Sequence, residues 1–565
     1  MILYNLEPMG VAREKIVFFT ALFLALGAIY APGLGHGPNL DDREESDYVA
    51  FHGAQRLLGS DFQLRPVKNV LFWSGRSLFG DDYRLWRIAG LAIFFLSSIA
   101  VEALAERLLR SRRAAMAATA LHALLAVHSS VVLWLSAYHI LIFMVAMLGA
   151  LLWADRGAET GSARLYVLSA AALAVALLAY EAAVAFPALL ALQAWVLRRD
   201  YRRRAGRAYL TAVAVVVSLY AMARLAFGAR FSVQPENLTY PPGEPWWLTV
   251  NSARYLLLHA YYALAPWSTF GVRVPDLPAA HVVAAAGAWI LFLALSGMAA
   301  VAVAKRRSTV GFGWLFFVAG LAPMCNFVPV GSGPVADYYL LLPSLGLVIA
   351  LVAAIGSGLD RVPGSVGRKL VYGLVALWAV GNVLSTVRSR VPAWENPLTL
   401  VAHSREIQGD SFYHRYLAAR VAAEVGDYPE AVRLYRSALD AAPYHEPGQV
   451  GLVVALINAR DLSAAETEMA RLSPSAAEPA ETLRASRAFV LEARGRIEEA
   501  AELYRAIVND DSPVGVEAKV TALVRLTHMS RRWGIPMNVP YSLENAPFDV
   551  RPLYLFPGYH GGAGS

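Results

Sequence analysis

The sequence predicts an all-α membrane protein: a polytopic α-helical bundle of about eleven spans, followed by a C-terminal helical-repeat domain. Three observations predict this. Of 565 residues, 57% are hydrophobic and only 16% charged, where soluble domains carry about a quarter charged. The apolar residues gather between Ile16 and Thr386 into runs of about 17 to 25, long enough to cross roughly 30 Å of hydrocarbon as helices. Beyond Arg390 charges return every few residues and no run is long enough to span a bilayer.

The spans are read at 16–33, 86–108, 114–131, 133–153, 165–180, 182–197, 208–228, 281–304, 311–327, 338–357 and 370–388. The first run, Ile16 to Tyr30, is followed by Ala-Pro-Gly-Leu-Gly without a small-x-small cleavage site, and is read as a retained span rather than a signal peptide. The apolar stretch from Leu165 to Leu197 is too long for one crossing and is divided at Tyr180-Glu181.

Charge tests this threading. Alternate connections carry Arg13 and Lys15; Arg110, Arg112 and Arg113; Arg156 and Arg164; Arg198 to Arg207; Lys305 to Arg307; and Arg361, Arg368 and Lys369. That side is predicted to be cytoplasmic. The other side receives two long loops, 34–85 and 229–280. An odd number of spans then leaves the tail outside with them. The net charge of +7 is accounted for by these flanks and does not indicate a nucleic-acid partner. A single cysteine, Cys325, excludes a disulfide framework, so the tail relies on packing.

The expected domains are a membrane domain at 1–390, a linker at 391–410, a repeat domain at 411–535 and a tail at 536–565. Similarity recurs at about 34 residues in the repeat domain. One copy reads Gly426-Asp-Tyr428-Pro-Glu-Ala431, then Tyr435, Ala438 and Pro443; another reads Gly495-Arg-Ile497-Glu-Glu-Ala500, then Tyr504. Ala465 falls 34 residues after Ala431, with Arg460 where a Gly is usual. The pattern resembles tetratricopeptide (TPR) repeats, three of them and a partial fourth through Trp533. They act either as a structural prop or as a partner-binding surface.

The first outer loop differs from the rest of the membrane domain. It carries Asn39, Asp41, Asp42, Glu44, Glu45 and Asp47, then Arg65-Pro66 and Lys68-Asn69. A carboxylate at headgroup depth is placed to take a proton from an acceptor hydroxyl. Nearby cations are placed to hold a departing lipid-linked phosphate. By composition alone, an ordinary solvated loop is an equal reading.

These residues and others resemble the GT-C superfamily of polyprenyl-phosphate-sugar glycosyltransferases, specifically the TPR-containing transmembrane O-mannosyltransferases and their bacterial relatives. Asp41-Asp42 matches the family's acidic motif after the first span. Arg65-Pro66-Val67 with Leu71-Phe72-Trp73, Ala126 to Val131, Ala179-Tyr180-Glu181, Asp337 to Ser344 and Trp394-Glu395 match further segments. The resemblance implies a glycosyltransferase that moves a sugar from a polyprenyl-phosphate donor to a protein or glycan acceptor. Catalytic roles fall to Asp42, Asp41 and Glu181. The donor phosphate falls to Arg65, Lys68, His128, His139 and Tyr338, and acceptor contacts to Asp337 and Glu45. It also implies a bacterial inner membrane with the first loop and the TPR domain outside the cytoplasm. Ser130, Tyr180 and Tyr338 replace a Glu, a Lys and an Arg of the family pattern, which alters or weakens donor recognition.

Glu181 between two apolar spans is costly there and points to function. His128 and His139 flank one outer turn as candidate ligands of phosphate or metal, or as simple backbone-bonded histidines. Asp41, Asp42 and Glu45 are the candidates for a divalent cation, although no set of residues has convincing metal-ligand spacing. Trp246-Trp247, Arg254-Tyr255, His259, Tyr261-Tyr262 and Trp267 suggest an interfacial helix, able to hold a polyprenyl tail or only to anchor. The alternative to an enzyme is a non-catalytic TPR membrane scaffold or assembly factor for envelope proteins or glycans. A ligase moving whole glycans from a lipid diphosphate fits less well, because such enzymes place their large outer loop late in the chain.

Overall fold

A computed structural model of the chain describes residues 9–39, 42, 46, 64–226, 246–265, 272–273, 282–327, 335–359, 364–408, 410–472, 477–510, 516–539 and 555–556. The membrane part comprises α1 (Met9–Tyr30), α2 (Pro66–Phe79), α3 (Tyr83–Leu109), α4 (Arg112–Ala123), α5 (Ser129–Leu133), α6 (Tyr138–Thr160), α7 (Ala163–Ala179), α8 (Phe186–Leu197) and α9 (Arg204–Ala226). It continues through α10 (Trp246–Val250), α11 (Ser252–Leu264), α12 (Val282–Arg306), α13 (Thr309–Leu321), α14 (Pro343–Leu359) and α15 (Gly364–Ser385). A two-residue antiparallel ribbon joins β1 (Val272–Arg273) to β2 (Val335–Ala336), pairing Val272 with Ala336 and Arg273 with Val335. It is the only strand pairing among the described residues.

Among the described residues six helices are long and apolar enough to cross a membrane: Ala12–Gly33, Tyr83–Leu109, Leu135–Thr160, Arg204–Ala226, Val283–Arg306 and Ser365–Ala393. The pair Arg112–Ala123 and Ala126–Leu133, bent by 53°, makes a seventh if it acts as one span. The remaining predicted spans fall on shorter apolar helices, Ala163–Ala179, Glu181–Leu197, Thr309–Met324 and Pro343–Leu359. Among the described residues six or seven of the eleven predicted spans are therefore full-length apolar helices, and the others are short ones. Two of the short helices meet at the break the sequence suggests: extended backbone at Tyr180 ends α7, and a short turn from Glu181 leads to Pro187 in the first turn of α8.

Burial is that of a bundle in lipid. The most apolar window of α6 is 83% buried, so α6 is central. α1, α12 and α15 turn apolar side chains outward, among them Ile16, Leu24, Val283, Ile290, Leu370 and Leu377. Such faces are expensive in water and ordinary against acyl chains. Small residues allow close helix approach. A Cβ on Gly313 of α13 would lie 2.3 Å from the Gly346 carbonyl of α14, and one on Gly346 would lie 2.4 Å from the Gly313 carbonyl.

At one end of the bundle the basic connections come together. Lys15 pairs with Glu106 at 3.0 Å and Glu102 at 3.4 Å, Arg112 with Glu14 at 3.1 Å, and Arg107 and Arg199 both grip the buried Asp155. His139 begins α6 and Asp155 lies near its far end. Sixteen residues at 1.5 Å each put the two about 24 Å apart, so His139 belongs to the opposite end.

Beyond α16 (Val391–Ala393) and α17 (Pro397–Gln408), the tail builds helix pairs with a core of their own. They are α18 (Phe412–Glu424) with α19 (Tyr428–Ala441), α20 (Glu446–Asn458) with α21 (Leu462–Met469), and α22 (Ala477–Ala493) with α23 (Ile497–Asn509). α24 (Val516–Trp533) follows. Ala431, Ala465 and Ala500, the small residues of the repeat pattern, are completely buried. Gly426 and Gly495 turn the chain between paired helices at φ of +83° and +80°, and Arg460 takes the same turn at +65°. Leu555 and Phe556 return to this core. Leu555 accepts from Asn458 Nδ2 at 2.7 Å and donates to Thr521 Oγ1 at 2.9 Å, while the Phe556 ring lies 4.3 Å from that of Phe489. Asn458, Phe489 and Thr521 stand on α20, α22 and α24, so Leu555 and Phe556 contact three alternate helices of the repeats.

Candidate functional site

The geometry begins at Asn39 and Asp42. The backbone N–H of Asp42 donates to Asn39 O at 3.0 Å, and Asn39 N–H donates to Asp42 Oδ2 at 3.0 Å. The first bond is a backbone turn, and the second, side chain back to the N–H three residues earlier, is one half of a capping box. Asp42 is fully buried, and its Oδ1 accepts from Ser136 N at 2.9 Å and from Ser136 Oγ at 3.1 Å. Two donors therefore fix the carboxylate to the turn before α6, and Asn39 N–H holds its other oxygen.

From Ser136 the contacts run on to the cations. His139 Nδ1 lies 2.7 Å from Ser136 O, which makes Nδ1 the protonated nitrogen and leaves Nε2 as an acceptor facing Arg65 Nη1 at 3.4 Å. Arg65 directly precedes Pro66 at the start of α2. It donates to Glu181 through Nε at 2.9 Å and Nη2 at 2.6 Å, and its guanidinium lies 5.0 Å from the Tyr180 ring centre. Lys68, one turn on, is buried and acts electrostatically on His139. Arg224, near the end of α9, lies 3.7 Å from Glu181 and donates to Tyr220 Oη at 3.0 Å. Among the described residues, Arg65, Lys68 and Arg224 thus gather around Glu181 and Asp42, three cations to two carboxylates.

The structure thus connects Asp42, His139, Arg65 and Glu181, with Lys68 beside them. Tyr338 lies edge-on to Trp134, two residues before Ser136, with ring centres 5.4 Å apart. Asp337 and His128 have other partners. Asp337 pairs with Arg390 at 2.9 Å, both fully buried. His128 is buried against Phe94 and His122 and meets Ser344 Oγ at 3.1 Å. Asp41 and Glu45 lie outside the described residues. Among the described residues no group of three His, Cys, Asp or Glu side chains is placed to hold a metal ion.

α11 of the second long loop carries Tyr255, His259, Tyr261 and Tyr262 of the expected interfacial helix and packs one face on protein, with Tyr261 exposed on the other. Tyr255 and His259 are completely buried, and His259 Nε2 accepts from Ala336 N at 3.2 Å. Its polar residues bind the 335–340 segment, so it is packed on protein. Trp267 lies outside the described residues.

Residues that sequence reasoning passed over also belong here. Arg224 is a charge inside a predicted apolar span, which by itself signals function. Arg87 is completely buried and donates to three backbone carbonyls, those of His36, Gly37 and Leu133. It thereby ties the first loop to the turn after α5. Ser136 and Asn39 carry no sequence signal, because a serine or asparagine that bonds a carboxylate looks like any other.

A tetratricopeptide-repeat family model matches residues 422–488, in agreement with the helix pairs. No curated protein matches the chain in sequence. Among solved structures, the oligosaccharyltransferase of Archaeoglobus fulgidus in its apo form is similar at 15% identity, with a TM-score of 0.40, over 66% of this chain. The chain matches only 56% of that enzyme's length. A likeness so remote assigns neither fold nor activity.

Proposed function

We propose that the chain is a membrane glycosyltransferase of the GT-C type, moving a sugar from a polyprenyl-phosphate donor to a protein or glycan acceptor outside the cytoplasm. The observation that carries this is the connected group Asp42–Ser136–His139–Arg65–Glu181, with Lys68 and Arg224 beside it. An isolated Glu or Arg at such a place is costly; cations gathered beside a fixed carboxylate suit a phosphate that gains charge as it leaves. In the reaction the acceptor oxygen attacks the anomeric carbon. The bond from that carbon to the phosphate oxygen breaks, its electron pair leaves with polyprenyl phosphate, and the acceptor proton passes to a carboxylate. Arg65, Lys68 and Arg224 stabilise the added phosphate charge. Asp42, with its lone pairs taken by Ser136 and Asn39, fits the base-orienting role, and adjacent Asp41 is the proton acceptor. The carboxyl-terminal repeats serve the acceptor on the same side of the membrane.

The test is sugar transfer in membranes containing polyprenyl-phosphate sugars, with glycan mass spectrometry as readout. Asp41→Asn abolishes transfer at unchanged protein level, and Arg65→Gln lowers it strongly. Full activity in both variants sinks the proposal. The scaffold reading draws on one observation, that Glu181 and Asp42 are already satisfied by protein partners. It requires that deleting residues beyond 410 remove all function while Asp41→Asn does nothing.

A further inference from the structure

At the end of the bundle opposite this site, four arginines line one pocket of about 250 Å³: Arg110, Arg198, Arg306 and Arg307, with Leu108 and Val196 behind them. They arrive from three helix ends far apart in sequence, those of α3, α8 and α12. Their neighbours Arg107, Arg112 and Arg199 are all paired with carboxylates. Among the described residues none of the four has a carboxylate within 4.0 Å, and Arg307 spends one N–H on the Trp195 carbonyl. Three helix C-termini contribute about half a negative charge each, which does not offset four guanidinium groups.

The backbone adds an independent observation. Arg110, Arg198 and Arg307 each stand immediately after a helix in the left-handed conformation, at φ of +54°, +58° and +51°. Glycine or asparagine is usual there, because a Cβ is strained in that region. Three strained residues of one type around one pocket point to what the side chain does. A rule that only puts positive charge on one side of a membrane needs neither this conformation nor this convergence.

α8 also lines a second, apolar groove of about 440 Å³, shared with α9 and walled by Pro187, Leu190, Ala194, Tyr201, Val213 and Val217. Groove and pocket follow one helix in succession, apolar up to Ala194 and cationic from Arg198.

We infer that this end of the bundle is a binding site for an anionic phospholipid, its phosphodiester held by Arg110, Arg198, Arg306 and Arg307 and an acyl chain lying between α8 and α9. Guanidinium groups suit phosphate oxygens through paired N–H donors.

The full chain is reconstituted in nanodiscs containing phosphatidylcholine with a minority of phosphatidylglycerol, and retained lipid is measured by native mass spectrometry. Wild type retains phosphatidylglycerol selectively. Arg110→Gly, Arg198→Gly and Arg307→Gly each weaken retention by about tenfold, while the thermal midpoint stays level or rises because glycine relieves the left-handed backbone. Ala194→Trp fills the groove and lowers retention with the charges intact, which keeps the proposal testable if a glycine variant fails to fold. Equal retention of the two lipids by wild type, or undiminished retention in the variants, overturns the site. Binding of glycerol phosphate, added to phosphatidylcholine nanodiscs, as tight as that of phosphatidylglycerol overturns the lipid assignment in favour of a soluble phosphate. None of these outcomes bears on the proposed sugar transfer at the other end.

Discussion

Arg65 holds Glu181 by two parallel hydrogen bonds, Nε to Oε2 and Nη2 to Oε1, across 116 positions of sequence. This links the start of α2 to the break before α8. Arg65→Lys cannot reproduce the fork, since an ammonium is a single point of charge. Transfer activity is expected to fall on the order of 10²-fold, the usual cost of one lost donor at a developing anion. Steady-state kinetics with a lipid-linked donor check this.

Asp42→Asn should be destabilising before it is anything else. The asparagine amide would face either Asn39 N–H or Ser136 N–H, donor against donor, at a buried site. The expected cost is about 1–3 kcal/mol, read as a lower thermal midpoint in detergent. Ser136→Ala leaves the backbone donor in place and should cost no more than about 1 kcal/mol.

Asp337 and Arg390 form a buried ion pair, side chains 2% and 1% exposed. Removing one partner strands the other, so Asp337→Asn should cost about 3–5 kcal/mol. The double variant Asp337→Leu with Arg390→Met should recover most of that. Recovery of both the thermal melt and sugar transfer would mark Asp337 as structural, whereas a stable but inactive double variant would mark it as catalytic.

Gly313→Ala tests the close packing of α13 on α14. The added methyl would meet the Gly346 backbone, which cannot swing aside as a side chain can. A loss of about 1–3 kcal/mol is expected from overpacking. Thermal denaturation in lipid nanodiscs checks it.

Phe556→Ala removes a completely buried ring from the repeat core. The expected loss is about 3–5 kcal/mol, localised by hydrogen exchange to α20, α22 and α24. Unchanged exchange in those helices contradicts the contact.

Much of the architecture was legible because hydrophobic run length and repeat spacing are local. Ala431, Ala465 and Ala500 are buried where the 34-residue pattern put them, and the break at Tyr180-Glu181 is present. The number of crossings was less legible. An apolar run states composition, while helix length depends on where the backbone breaks, as between Ala123 and Ala126. Within the site, charged residues announced themselves in an apolar setting, and Arg65, Glu181 and His139 do come together. Their partners did not: that Asp337 belongs to Arg390 and His128 to Ser344 depends on which spans are neighbours. Linear spacing carries no information about that.

Asn39 has two attachments. Its backbone N–H holds Asp42, and its side chain donates to the Trp394 carbonyl at 2.7 Å, at the threshold of the repeat domain. The first loop and the root of the tail are therefore joined through this residue. A load on the repeats that displaces Trp394 must stretch or break that bond, and the carboxylate's anchor feels it. Thermodynamic reciprocity makes the traffic two-way: an occupant of the first loop that moves Asn39 alters, by the same free energy, how the repeats are hung.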